Sequence, residues 1–283
     1  MLEQNSIILK IRSVYNSLTK TEKKVADYVL NNVGDVIYLS ITELAEKADV
    51  GETTIVRFCR HIGMSGFQEF KLNIAKDMVG PETSIHEGIN FQDSLETLVQ
   101  KITTENTLVL SNTTKILSLN ELERAVDAIL KANKIEIFGV GASGYTALDA
   151  KYKFMRLGLN VNANLDPHIQ AISAVGLHDG DVAIGISFSG STKDTVETCR
   201  LAKEAGAKII CITNYARSPI TSNADIVLLT SARETPLRSG ALTSKIAQLH
   251  LLDILYTAVA IRLKDKAIQN INKTAKAVLD KLY

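Results

Sequence analysis

Apolar residues in the first 79 positions recur at helical spacing, in short blocks separated by polar residues that favour helix starts. Three hydroxyl residues are each followed three positions later by Glu or Gln, which is the spacing of a capping box. These pairs are Thr19 with Glu22, Ser40 with Glu43, and Ser65 with Gln68. The pattern predicts that residues 1–79, called the head below, form a bundle of short helices.

From about residue 120 the pattern changes to short apolar runs that alternate with helical stretches. The apolar runs are predicted strands at 135–140, 160–165, 181–187, 208–213 and 225–229. Short apolar strands separated by helices are typical of a parallel sheet covered by helices on both faces. This part of the chain is therefore predicted to be an α/β domain.

A change of composition separates the two parts. Residues 80–84 read Gly-Pro-Glu-Thr-Ser and cannot continue a helix, and the polar stretch to about residue 92 resembles a linker. We expect a helix-turn-helix head at 1–79, a linker and connecting helix at 80–117, an α/β domain at 118–263 and a C-terminal helix at 264–283. The predicted fold class is α + α/β, with an all-α domain joined to a three-layer domain that has a parallel sheet.

The segment from Ser40 to Gly63 predicts two helices joined by a tight turn at Asp49. The second helix carries Ile55, Phe58, Cys59 and Ile62 on one face and Thr53, Arg57 and Arg60 on the opposite face. A DNA recognition helix needs one apolar face that packs against its domain and an opposite face whose hydroxyl and guanidinium groups contact DNA. The predicted DNA contacts are Thr53, Thr54, Arg57 and Arg60. An ordinary solvated helix and a protein-interaction module remain alternatives, and Lys71 and Lys76 are either phosphate contacts or surface lysines.

Two loops of the α/β domain carry candidate ligand chemistry. The first, called the glycine loop, has the pattern GxGxxG at residues 139–144, directly after a predicted strand, and Asp166 lies 22 residues beyond Gly144. This arrangement satisfies the fingerprint of a dinucleotide site. A dinucleotide site, another ligand loop and a plain tight turn therefore all remain open.

The second loop, called the serine loop, reads Ser-Phe-Ser-Gly-Ser-Thr at residues 187–192, between a predicted strand and a predicted helix. Backbone N–H groups, hydroxyls and the helix dipole can all stabilise a phosphate at such a position. A small monophosphorylated ligand would use both loops, whereas one glycine-rich turn is enough for a dinucleotide. The alternative is a serine-rich helix cap.

Together these motifs resemble a known family. The glycine loop, the serine loop, the strand ending IICITN and the later ETPLRSGALTSK look like a sugar isomerase (SIS) domain. With the head, the chain resembles the RpiR family of bacterial transcriptional regulators, including the MurR-type regulators of amino-sugar use. The resemblance implies a repressor that releases DNA when a sugar phosphate binds, with N-acetylmuramate 6-phosphate as a leading candidate. It also implies a homodimer or homotetramer and no cofactor.

The resemblance further implies the residues of a phosphosugar site. They are Gly141 and Ser143 in the glycine loop, Ser187, Ser189, Gly190, Ser191 and Thr192 in the serine loop, and Glu234 near the sugar hydroxyls. Gly190 is expected to allow close approach. A sugar-phosphate isomerase or lyase and an NAD-binding redox sensor that uses Asp166 are the alternative functions.

An isomerase would need a base next to the sugar carbonyl, and the candidates are Glu234, His168, His178 and His250. His250 lies in an apolar helical run and is expected to pack in the core. No two titratable groups stand at a recognisable acid/base spacing, so no catalytic residue is predicted.

The charge composition limits the kind of DNA binding that can be expected of this chain. The 283 residues contain 32 Lys+Arg and 31 Asp+Glu, a formal net charge of +1, and residues 1–79 contain 10 of each sign. A uniformly basic surface is therefore excluded, and we expect modest non-specific affinity with specificity from few contacts and dimerisation.

Cysteine usage and hydropathy argue against a disulfide-stabilised, metal-binding or membrane-spanning protein. Cys59, Cys199 and Cys211 are odd in number and far apart, which indicates neither a disulfide framework nor a metal site. The apolar stretch at 246–263 is interrupted by charged and polar residues, so a buried helix is expected there and not a membrane span. We expect a cytoplasmic protein with reduced thiols.

Overall fold

A computed structural model describes residues 6–78, 84–86, 89–90, 92–234 and 241–281. Their internal contacts divide the chain into two compact units. The first unit is Met1–Thr107 with Arg233–Leu242, and the second is Leu108–Ala232 with Thr243–Tyr283. The boundary near residue 107 falls inside one long helix.

The first unit is helical at its N-terminal end, as predicted. Its elements are α1 (Ile7–Val14), α2 (Lys20–Asn31), α3 (Val33–Val36), α4 (Ile41–Lys47), α5 (Glu52–His61), α6 (Phe67–Met78), β1 (Ser84–His86) and β2 (Ile89–Asn90), followed by α7 (Leu95–Ile116), which carries the boundary. β1 and β2 pair antiparallel within the stretch expected to be a plain linker. That expectation was therefore incomplete, and residues 80–83 lie outside the described part of the chain.

Capping and aromatic packing hold the head together. The capping boxes at Thr19 and Ser40 are both present in full. At the third predicted box the partner of Ser65 is Glu69 and not Gln68, because the Ser65 amide and hydroxyl both donate to the Glu69 carboxylate. The rings of Phe58 and Phe70 meet edge to face at 5.7 Å in the core.

Lys71 corrects an expectation from the sequence. It is neither a phosphate contact nor a surface lysine, because it is buried in the head. Its Nζ donates to the Leu39 carbonyl at 2.8 Å and lies 5.5 Å from the Phe67 ring centroid. Burial lowers the pKa of Lys71 to about 8, against an opposing attraction from Glu43.

This burial predicts a pH dependence of stability. The unfolded lysine titrates near 10.5 and the folded one at about 8, so the unfolded state binds more protons between these values. The Lys71 contribution should therefore raise the free energy of unfolding by about 3 kcal/mol as pH rises from 8 to 10.5. Calorimetric unfolding of the full chain should show this rise relative to Lys71→Met. Lys76→Met, at an exposed lysine of α6, is the control and should follow the wild-type profile. Parallel profiles for the wild type and Lys71→Met would contradict the prediction.

The second unit is built on a five-stranded parallel sheet, which confirms the predicted α/β class. Its strands are β3 (Ile135–Phe138), β4 (Val161–Ala163), β5 (Val182–Ile186), β6 (Lys208–Thr213) and β7 (Ile226–Leu229). Its helices after α7 are α8 (Leu119–Lys131), α9 (Ala142–Arg156), α10 (Pro167–Val175), α11 (Lys193–Glu204), α12 (Leu242–Leu263) and α13 (Asp265–Lys276). The strand order is β4-β3-β5-β6-β7.

Alternate residues of the central strands enter two separate cores. On β5, Val182, Ile184 and Ile186 pack with α8, α9 and α12, whereas Ala183 packs with α10 and α11. On β6, Ile210 and Ile212 face the first core and Ile209 and Cys211 the second. This period of two shows that both faces of the sheet are covered, as predicted for three layers.

α12 corresponds to the apolar stretch of the sequence. Among the described residues it is the one helix long and apolar enough to cross a membrane by length and composition. Its buried side includes the polar residues Ser244 and Gln248. His250 was expected in the core but is only half-buried, and its Nε2 lies 3.3 Å from Thr114 Oγ1.

The three cysteines are free and buried. Burial raises the pKa of Cys59 and of Cys199 to about 12, and it raises the pKa of Cys211 as well. Thiols that stay protonated are poor nucleophiles and metal ligands. A structural role in packing accounts for all three residues.

Candidate ligand site and nucleic-acid interface

The glycine and serine loops follow two neighbouring strands. β3 and β5 pair in parallel, so their carboxyl ends lie at the same edge of the sheet. The chain leaves β3 toward β4 on one side and then returns to β5 on the other, which makes this pair the topological switch point of the sheet. Ligands of open α/β sheets bind in the crevice at such a point. The fold therefore brings the two predicted loops to one candidate site.

The three glycines of the glycine loop have different roles. A Cβ at Gly139 would lie 2.9 Å from the Ser143 carbonyl oxygen, and one at Gly144 would lie 2.8 Å from Leu165 Cδ2. These two glycines are required by the close packing of strand and helix. Gly141 has a φ of +58° and precedes α9, with nothing within 4 Å of its Cβ position. Of the three glycines, Gly141 is thus the one with open space at its Cβ position.

Ser143 is positioned by a buried amide that the sequence analysis missed. Gln248 of α12 donates from Nε2 to Ser143 Oγ at 3.2 Å. Its Oε1 accepts a hydrogen bond from Thr146 at 3.1 Å, which fixes the orientation of the amide. A glutamine inside an apolar helix was the available signal, because a buried polar group normally has a hydrogen-bonding role.

A second buried amide holds the start of the glycine loop. Gln170 accepts from the Gly139 N–H at 3.3 Å and donates to the Gly139 carbonyl at 2.8 Å. The same Nε2 also donates to the Asn164 carbonyl at 2.7 Å. Hydrogen bonds within the protein therefore hold the start of the glycine loop in place without a ligand.

The serine loop does not cap the helix that follows it. Thr192 is the N-cap residue of α11, yet no side-chain hydrogen bond caps this helix. Instead Thr192 Oγ1 lies 3.1 Å from Ser187 Oγ, and the Ser191 N–H donates to Ser189 Oγ at 3.2 Å. The first backbone N–H groups of α11 are thus left without a hydroxyl cap. This geometry favours an anion site over the alternative of a serine-rich cap.

Gly190 makes a close approach within the protein itself. Its φ is +63°, and a Cβ there would lie 2.5 Å from Ser218 Cβ and 3.0 Å from Thr213 Oγ1. The Ile220 N–H donates to the Gly190 carbonyl at 2.9 Å. The segment around Ser218 therefore fixes the position of the serine loop.

The remaining candidates from the sequence are Glu234, His168, His178 and Asp166. Glu234 is buried and belongs to the first unit, and residues 235–240 of the same segment lie outside the described ranges. His168 and His178 are exposed. Asp166, which a dinucleotide site would need, accepts from the N–H groups of His168 and Ile169 and so caps α10. Among the described residues no group of three or more His, Cys, Asp or Glu could hold a metal ion.

The predicted recognition helix is α5. Ile55, Phe58, Cys59 and Ile62 are buried, and Thr53, Arg57 and Arg60 are exposed on the other side, as predicted. Thr54 differs from the expectation, because it is buried and its Oγ1 accepts a hydrogen bond from Arg57 at 3.4 Å. Thr54 thus orients Arg57 and does not face solvent.

The turn before α5 has the geometry expected from the sequence. Asp49 has a φ of +53° and forms an ion pair with Lys24 at 2.6 Å. Asp tolerates this left-handed conformation better than most residues. The turn therefore forms with Asp49 in a conformation that glycine adopts most readily.

Comparison with known families agrees with this architecture. Residues 5–80 match the helix-turn-helix domain of the rpiR family, and residues 128–258 match the SIS domain. An HTH-type transcriptional regulator of Caldanaerobacter subterraneus subsp. tengcongensis is 41% identical over 96% of each chain. The HTH-type transcriptional regulator HexR of Pseudomonas aeruginosa is 35% identical over 91% of this chain and 90% of HexR.

A solved structure extends the similarity to the whole fold. NanR of Vibrio vulnificus, in complex with ManNAc-6P, superposes with a TM-score of 0.86 at 28% identity, over 98% of this chain and 99% of that chain. The relatives share both domains and nearly their full length with this chain. The chain therefore belongs to the rpiR family of HTH-type transcriptional regulators, with an N-terminal helix-turn-helix and a C-terminal SIS domain.

Proposed function

We propose that the crevice between the glycine and serine loops binds a sugar phosphate that controls DNA binding by the head. The observation that carries this proposal is the N-terminus of α11, where Thr192 pairs with Ser187 and leaves the helix without a side-chain cap. A phosphate there would accept hydrogen bonds from backbone N–H groups and hydroxyls and would interact favourably with the helix dipole. The phosphate contacts are Ser187, Ser189, Ser191 and Thr192, with Gly190 shaping the loop.

The sugar ring would then lie toward the glycine loop. Gly141 is open and Ser143 is held by Gln248, so both can face the ring or its substituents. The bound ManNAc-6P of NanR supports an N-acetylated amino-sugar 6-phosphate, a class that includes N-acetylmuramate 6-phosphate. Glu234 stays a candidate contact to the sugar hydroxyls.

The output of this binding would be a change in operator affinity. We assign Thr53, Arg57 and Arg60 to DNA contact and Thr54 to the support of Arg57. The protein is proposed to be a cytoplasmic repressor that acts as a homodimer or homotetramer, because two heads are needed for two half-sites. The sugar phosphate must bind the DNA-competent and DNA-incompetent states with different affinity, since otherwise it would shift nothing.

No catalytic step is assigned to the site. His168, His178 and His250 form no described hydrogen bond or ion pair with one another, and the relatives from Caldanaerobacter and Pseudomonas named above are HTH-type transcriptional regulators. The SIS domain is proposed to act as a sensor.

A thermal-shift experiment tests the ligand. At 100 times its dissociation constant, a bound sugar phosphate should stabilise the protein by about 2.7 kcal/mol, a shift of roughly 5–10 °C for a unit of this size. The panel should contain ManNAc-6P, N-acetylmuramate 6-phosphate, glucose 6-phosphate, the free sugars and inorganic phosphate. Ser187→Ala combined with Ser189→Ala should remove the shift, because it removes two phosphate donors.

The matched control is Ser222→Ala, at an exposed serine of the same unit outside both loops. This variant should keep the full shift. The proposal would be overturned if no phosphorylated sugar stabilised the wild type, or if the double variant retained its response.

A further inference from the structure

Glu52 is the first residue of the recognition helix α5. It follows the N-cap Gly51, which has no side chain to cap the helix. Its carboxylate Oε1 accepts a hydrogen bond from the hydroxyl of Thr42, the second residue of α4. Glu52 is half-buried and is thus held in a fixed orientation between the two helices.

The position of Glu52 is where a recognition helix reads bases. In helix-turn-helix proteins the N-terminal residues of the second helix contact base edges in the major groove. Glu52 and Thr53 lead α5, and Arg57 and Arg60 follow on the exposed side. A carboxylate among these residues repels DNA phosphates and opposes the general electrostatic attraction. A hydrogen bond from a base to such a carboxylate would offset this repulsion.

The chemistry of a carboxylate limits which base it can read. It only accepts hydrogen bonds, and the donors in the major groove are the amino groups of cytosine N4 and adenine N6. Adenine is read best by an amide, which both donates and accepts, whereas Glu and Asp suit cytosine. We propose that Glu52, oriented by Thr42, is a specificity-determining residue that accepts a hydrogen bond from a cytosine amino group in each half-site.

This inference rests on the proposed function, because it requires that α5 enters the major groove. A purely structural role is the competing explanation, since an acidic residue in the first turn also stabilises the helix. The two roles differ in what they change. A structural role alters folding and the affinity for all DNA sequences equally, whereas base reading alters the preference at one position.

Selection from a random duplex library separates these roles. The full-length wild type should prefer cytosine at one position per half-site by about 5- to 150-fold. Glu52→Gln and Glu52→Ala should reduce that preference at least 5-fold and keep the preferences at the other positions. Thr42→Val, which removes the orienting hydroxyl, should weaken the same preference. Asp35→Asn removes an equal charge from an exposed site on α3 and should leave the selected sequence unchanged.

The outcomes identify which claim fails. If the wild type selected no preferred sequence, the proposed DNA-binding function and this inference would both be overturned. If the wild type selected a clear motif and both Glu52 variants selected the same motif with equal discrimination, only the role of Glu52 would be overturned. Melting curves of each variant exclude loss of folding as the cause.

Discussion

Replacing Arg57 and Arg60 together by alanine should weaken binding to the best selected DNA sequence by about 30-fold or more. Both side chains are exposed on α5, and no carboxylate of the described residues forms an ion pair with either guanidinium. Each guanidinium can make a bidentate interaction with guanine worth about 1–3 kcal/mol. If an arginine instead binds a phosphate, its removal should lower the slope of log affinity against log salt by about 0.9.

Gel retardation or fluorescence anisotropy at several salt concentrations measures both effects. Arg12→Ala is the matched control, because it removes one exposed arginine of the head from α1 and not from α5. The control should bind as the wild type does. Equal affinity and an equal salt slope in the double variant would show that α5 is not the DNA-binding face.

Most of the fold was accessible from the sequence because it rests on local signals. The boxes at Thr19 and Ser40 set helix starts through hydrogen bonds to neighbouring residues, and apolar runs defined all five strands of the sheet. The β1–β2 pair was not accessible, since two short strands without strong alternation resemble a polar linker. Ser65 could pair with Gln68 or Glu69 on spacing alone, and only the geometry of the turn selects Glu69.

The two loops of the candidate site could be predicted from the sequence, but the residues that hold the glycine loop in place could not. The loops carry motifs with characteristic residues, and the strand order placed them together. Gln248 and Gln170 lie far from these loops in sequence and touch them only through tertiary packing. Lys71 shows the same limit, because helical periodicity cannot reveal that a lysine reaches a carbonyl 32 residues away.

The two buried amides also bear on the proposed role of the site as a sensor. Gln170 fixes the backbone at Gly139, and Gln248 fixes the Ser143 hydroxyl from α12. A ligand that binds Ser143 therefore acts on a side chain already linked to α12. Preorganised donors lose little entropy when a ligand binds, which favours affinity. Movement in response to the ligand is therefore expected outside the glycine loop.

Gly190→Ala should strongly destabilise the second unit. The substitution places a side chain in the left-handed region, which costs about 1–2 kcal/mol, and overpacks it against buried Ser218, which costs about 1–3 kcal/mol more. Urea unfolding of the full chain should therefore show a destabilisation of about 2–5 kcal/mol. The displaced serine loop should also lose its thermal response to a sugar phosphate.

Gly141→Ala introduces backbone strain without overpacking. Gly141 has a φ of +58° and a ψ of −131°, and nothing lies within 4 Å of its Cβ position, so a backbone cost of about 1–3 kcal/mol applies alone. Combining Gly190→Ala with Ser218→Gly should recover part of the stability, because it removes the atoms nearest to the new Cβ. No recovery in the double variant would show that packing against Ser218 does not fix the serine loop.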